Sequence, residues 1–161
     1  MTDVNSYIEY FRTLSREHVE INDFHMMDIN EPLDALRSSI KYPALILTSL
    51  SGNFQASNLD NILDSINGGF MILGHLDQVD DFSGEMQLVS RMKQIGIDVI
   101  SRMLHDSLKC EPLSEKAIPG FNINSVSYEM LGPVFDNDYG YLISYKLFTQ
   151  IELDVDPSRW K

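Results

Sequence analysis

One cysteine in 161 residues, Cys110, leaves no intramolecular disulfide and too few ligands for a cysteine-based zinc site. Basic residues are scarce too. The 12 Lys and Arg stand against 24 Asp and Glu, a formal charge of -12. At long range such a chain repels phosphate backbones and anionic lipid, so neither direct nucleic-acid binding nor membrane binding is expected. The same charge suits a basic partner, or a neighbouring subunit with unlike surface patches. No window approaches the roughly 18 uninterrupted apolar residues of a membrane-spanning helix. The stretch MTDVNSYIEYF has no basic region followed by an apolar run, so a signal segment is not expected either. GxGxxG, P-loop, GxSxG and HExxH motifs are all missing, and so are fixed-period repeats and low-complexity linkers. These absences argue against an enzyme of a familiar type and against a bound cofactor.

What is present describes an ordinary globular chain. With 43% hydrophobic and 22% charged residues, one domain spanning residues 1–161 can bury a proper core. Tyr7, Ile8, Tyr10, Phe11 and Leu14 recur at helical spacing behind the capping candidates Thr2, Asp3 and Asn5, which predicts a helix over residues 3–17. HVEINDFHMMDI alternates weakly through Val19, Ile21 and Phe24, as a short strand or an extended crossing. Asn30, Glu31 and Pro32 form a good helix start, with Tyr42-Pro43 as its stop near Ile40. ALILTSL reads as a buried strand and GNFQASNLDN as a turn or irregular excursion. Asn67-Gly68-Gly69 then punctuates the start of FMILGHL, a strand buried on both faces.

The longest element is predicted over residues 81–108. Phe82, Met86, Val89, Met92, Gly96, Val99, Ile100, Met103 and Leu104 trace a wide stripe at i+3 and i+4, with Gly96 serving close helix-on-sheet contact. FNINSVSYEML and YLISYKLFTQIEL, joined by GPVFDNDYG, predict a long hairpin near the C-terminal end. Tyr141, Ile143, Tyr145, Leu147, Ile151 and Leu153 share one face of its second strand. The fold class is therefore α+β: a mixed or antiparallel sheet packed by a long helix, with a long C-terminal β-hairpin.

The chemical candidates are few. Asp77, Asp80, Asp81 and Glu85 crowd together, but at offsets unlike an EF-hand. A helix cap by Asp80 or Asp81 is the preferred reading, and a two-carboxylate Mg²⁺ site the alternative. His75 and Asp77, two residues apart at a strand end, would face one side as a dyad or metal pair does, although a surface contact is the simpler expectation. Cys110 has no nucleophile signature around it. No metal and no catalytic residue is therefore assigned.

In element order the chain resembles small tail-assembly proteins of tailed bacteriophages and prophages, particularly the tail-terminator class. The likeness is carried by the early helix, YPALILT, GGFMILGHLD leading into DDFSGEMQLVSRMKQIGIDVISRMLHD, and GPVFDNDYGYLISYKLFTQIEL. The resemblance implies a homo-oligomeric ring, commonly a hexamer, that caps the tail tube and meets the head-side connector. It also implies a structural protein of the virion tail or neck, assembled in the host cytoplasm. Two other classes stay open: an acidic inhibitor or adaptor for a basic partner protein, and a metal-dependent enzyme using the Asp77–Glu85 carboxylates. For the ring contact, the sequence points to the Ser51–Asn67 loop, the Asp136–Gly140 turn and the aromatic residues Tyr139, Tyr141 and Phe148 of the hairpin.

Overall fold

The computed structural model describes residues 3–27, 40–58, 61–78, 81–109, 111–134, 137–153 and 155–160. Its elements in chain order are α1 (Val4–Glu17), β1 (Asp23–Met26), β2 (Ala44–Leu47), β3 (Ser51–Asn58), β4 (Asn61–His75), α2 (Phe82–Ser107), β5 (Phe121–Leu131) and β6 (Asp138–Ile151). A 3-10 turn follows at Pro157–Arg159. The helix expected over residues 31–40 lies almost wholly outside the described residues, as do Asp80, Cys110 and Asp136.

The strands form one sheet in the order β1-β2-β4-β6-β5, with β3 also on β4. Among the described residues only β1 and β2 run parallel, so the sheet is mixed, and the α+β expectation holds. The spine is the antiparallel pair of β4 and β6, in register from Ile62↔Ile151 to His75↔Asp138. Its partners set which side chains share a face. Leu45↔Ile72 and Leu47↔Phe70 line up with Phe70↔Ile143 and Gly68↔Tyr145, placing all these residues under the two helices.

Burial of that face is what joins helices to sheet. Tyr7, Tyr10, Phe11 and Leu14 of α1, with Met92, Ile95, Val99 and Met103 of α2, share one core cluster with Phe70, Ile72, Ile143, Tyr145 and Leu147. A smaller cluster of Ile46, Met71 and Leu73 occupies the opposite face, which explains why the FMIL run is apolar without alternation. The cap of α1 is Asp3, whose carboxylate accepts the amides of Asn5 and Ser6. Asp81 caps α2 by accepting the Gly84 amide at 2.9 Å.

Several expectations need correction. GNFQASN is not a turn: it is β3, paired with β4 from Ser51↔Asn67 to Asn58↔Asn61. The buried strand therefore begins at Asn61 rather than after the glycines, and Gly68-Gly69 sit in its interior. They are there for space. A Cβ at Gly68 would lie 2.6 Å from the Tyr7 hydroxyl and 2.9 Å from that of Tyr145, two buried phenols hydrogen-bonded to each other. A Cβ at Gly69 would crowd Thr48 and the Ile143 carbonyl on the other face. The short strand expected in HVEINDFHMMDI is there as β1, with Phe24 in it, but it starts late: Val19, counted in the same alternation, lies outside it and is 95% exposed. In α2 the stripe frays at its ends, where Phe82 is 73% and Leu104 38% exposed, and in the middle it also includes Ile95, which is fully buried. Gly96 does serve close packing, since a Cβ there would stand 2.5 Å from Ile143 Cδ1.

Candidate functional site

Three places combine unusual chemistry or exposure, and each follows from how the strands are laid out. The first is a buried carboxylate at the end of α2. Asp106 has no solvent exposure and accepts from Arg102 Nε at 2.8 Å, Lys109 Nζ at 2.7 Å and, at 3.3 Å, the Tyr10 hydroxyl. Burial raises its carboxyl, but the hydrogen bonds from Lys109 and His105 and the charges of Arg102 and Lys109 outweigh it and hold it below the usual range. Arg102 also reaches Glu17 at 2.9 Å. The hub thus ties α1, α2 and the following loop together, and its oxygens are already occupied by the fold.

The second place is the far end of the β4–β6 pair. There His75 Nδ1 lies 2.7 Å from Asp138 Oδ1, the Tyr42 hydroxyl donates to the other oxygen of Asp138, and the Tyr42 and His75 rings stack with centroids 5.6 Å apart. His75 is thus paired with Asp138, 63 residues away, and not with Asp77. A buried aspartate orienting an imidazole resembles half of a triad. Among the described residues, however, no hydroxyl or thiol nucleophile bonds to this histidine, and no group of three His, Cys, Asp or Glu converges as a metal site.

The third place is made of strand edges. Among the described residues, β3 pairs only with β4 and β5 only with β6, on opposite sides of the sheet. Both are long and exposed, and both carry apolar side chains into solvent: Phe54 at 63%, Tyr128 at 60%, Met130 at 55% and Ile123 at 42%. Long edges of this kind are templates for another strand unless they are blunted or used. β5 also changes face midway. Its register shifts between Asn122 and Ser127, where Ser125 Oγ accepts the Lys146 amide at 2.8 Å and donates to the Asn122 carbonyl at 2.6 Å. This bulge turns Val126 and Tyr128 toward α2 and leaves an apolar cleft of ≈ 190 Å³ between that helix and β5–β6. Lys93 lies across its rim, 4.6 Å from the Tyr128 ring centroid and 5.8 Å from that of Tyr141.

The three aromatics expected at an interface are not brought together. Tyr141 is half-buried in the cleft wall. Tyr139 packs on the Gly132 turn, where φ is +147° and a Cβ would lie 2.2 Å from its ring. Phe148 is half-buried on the sheet face away from the helices, not beneath α1, which stacks on Tyr145 instead. Tyr128 and Met130 escaped sequence reasoning, and Phe54 was reached only as an unnamed part of the Ser51–Asn67 segment. A lone aromatic alternating with small and polar residues in SGNFQASN was the available signal for Phe54.

No helix among the described residues is long and apolar enough to cross a membrane. Compared with known proteins, the chain matches no family model and no curated sequence.

Proposed function

We propose that this chain is a structural assembly subunit that joins copies of itself edge to edge into a closed ring. In a tailed phage or prophage, that ring works as a tail terminator at the neck, capping the tail tube and meeting the head-side connector. The observation that supports this reading is the pair of long, exposed, oppositely placed edges, β3 and β5. An edge on each side lets every subunit use two different surfaces, the heterologous arrangement that produces rings when the rotation closes. The phage assignment rests on the resemblance in element order. Hexameric closure is the number that resemblance implies.

The polar clusters fit a structural role, because the carboxylates of Asp106 and Asp138 are bonded to residues that hold elements together. The test is to add the purified protein to tail tubes polymerised from a phage tail-tube protein. Electron micrographs are expected to show ring density at one tube end and arrested tube growth. Bare ends and unchanged tube lengths, with the protein folded and in excess, would remove the tail-terminator assignment.

A further inference from the structure

Resting on that self-association reading, we infer that Phe54 of one subunit is the knob that fills the Lys93–Tyr128 cleft of the next, with β3 added as a strand beside β5. Directly paired residues of neighbouring strands share a face. Phe54 pairs with Asp64, two positions from Ile66 of the helix-side core, so Phe54 projects on the face that carries α1 and α2. Val126 and Tyr128 project on that same face, because Tyr128 pairs with Ile143. A second copy's β3 continuing the sheet past β5 therefore delivers Phe54 to the side where the cleft opens. Strands lie about 4.8 Å apart, a gap that a phenylalanine side chain spans.

Size and charge agree. A cavity of about 150 Å³ lined by apolar side chains accepts benzene, and this one measures ≈ 190 Å³, lined by Gly96, Ile97, Ile100, Val126 and Ile143 among others. The helix-side face of β3 reads Gly52, Phe54, Ala56, one large side chain between two small ones. Nothing beside the ring would hold the strands apart. Asp64 stands across from Phe54 on the same face and Glu152 borders the same hollow, while the cleft offers the Lys93 ammonium at its rim. An acidic knob thus meets a basic-rimmed hole in a protein whose other surface charges repel its copies.

Two variants isolate the contact without touching the core: Phe54→Ala removes the knob, and Ser101→Trp, at an exposed helix position on the cleft wall, plugs the hole. Each alone is expected to weaken self-association about 30-fold or more in sedimentation velocity, the loss typical of a buried aromatic anchor, with thermal melting unchanged. Mixed one to one, they are expected to form heterodimers and nothing larger, since only the knob of one and the hole of the other remain. Independently, p-benzoylphenylalanine at position 54 is expected to cross-link on irradiation to the 93–101 or 126–128 peptide of an isotopically distinguished second copy. If the wild type associates but both variants associate equally well, or the cross-links fall elsewhere, the knob-and-cleft assignment is wrong while self-assembly stands. If the wild type stays monomeric at every soluble concentration, both fall. A cleft that instead takes up a small aromatic probe such as indole equally well in the monomer and the oligomer is a ligand site, and overturns the inference.

Discussion

Phe11→Ala is expected to destabilise the fold by about 3–5 kcal/mol, the range for removing a fully buried phenylalanine. Phe11 has no exposed surface and is the residue through which α1 is stacked on the sheet. Its ring centroid lies 5.1 Å from that of Tyr7, 5.4 Å from Tyr10, 5.7 Å from Phe70 and 6.1 Å from Tyr145. Alanine therefore leaves a cavity walled by four rings, Tyr7 and Tyr10 of α1 itself and Phe70 and Tyr145 of the sheet. At roughly 2–4 °C per kcal/mol for a domain of this size, the melting temperature should fall by about 6–20 °C. Phe11→Leu, which keeps most of the volume, should cost under about 1.5 kcal/mol. Circular-dichroism melts of both variants read this directly, and an alanine variant melting within two or so degrees of the parent would mean that α1 is not anchored there.

Asp106→Ala is expected to cost about 3 kcal/mol at neutral pH, toward the lower end of the range for breaking a buried ion pair. The cost stays at that end because the cations left behind, Arg102 and Lys109, have side chains 40% and 33% exposed and can turn to water. Tyr10 loses its hydroxyl's acceptor in the same step. The effect has a definite pH signature. Since the folded state holds the Asp106 carboxyl below its ordinary value, its contribution is fully present above the unfolded value of about 3.9. It is then lost as pH falls through the lower, folded value. The gap between parent and variant, followed by urea unfolding, should be constant through neutral pH and shrink only in strong acid. A gap that instead widened as pH fell would show that the carboxyl is raised, and that the hub is held together by something other than its charge.

How much of this was readable in the sequence depended on whether the signal was local. The α2 helix declares itself through 26 residues of periodicity and a capping aspartate, and the β5–β6 hairpin through two apolar runs around turn residues. β3 did not, because a strand exposed on both faces has no alternation to betray it: SGNFQASN reads as loop chemistry until β4 is there to pair with it. Gly68-Gly69 misled for a related reason. Two glycines in a row suggest punctuation, whereas here they make room for the Tyr7–Tyr145 pair, whose partners are 138 residues apart. The cleft was equally out of reach, since it exists only because a bulge around Ser125 flips the face of β5 against a helix some 25 residues earlier. For His75 a surface contact was the preferred expectation and Asp77 the alternative partner; the carboxylate it meets is Asp138, brought there by strand register.

The arrangement of edges makes self-association the property on which the functional reading depends. Sedimentation equilibrium of the purified protein across the widest soluble concentration range measures it most directly. The account requires a reversible transition from the 18.4 kDa chain to one fixed multiple of that mass, with a ceiling that further concentration does not exceed, because a heterologous contact that closes produces a ring of defined number. A chain that remains monomeric throughout, or one that grows without a ceiling into open filaments, would contradict it.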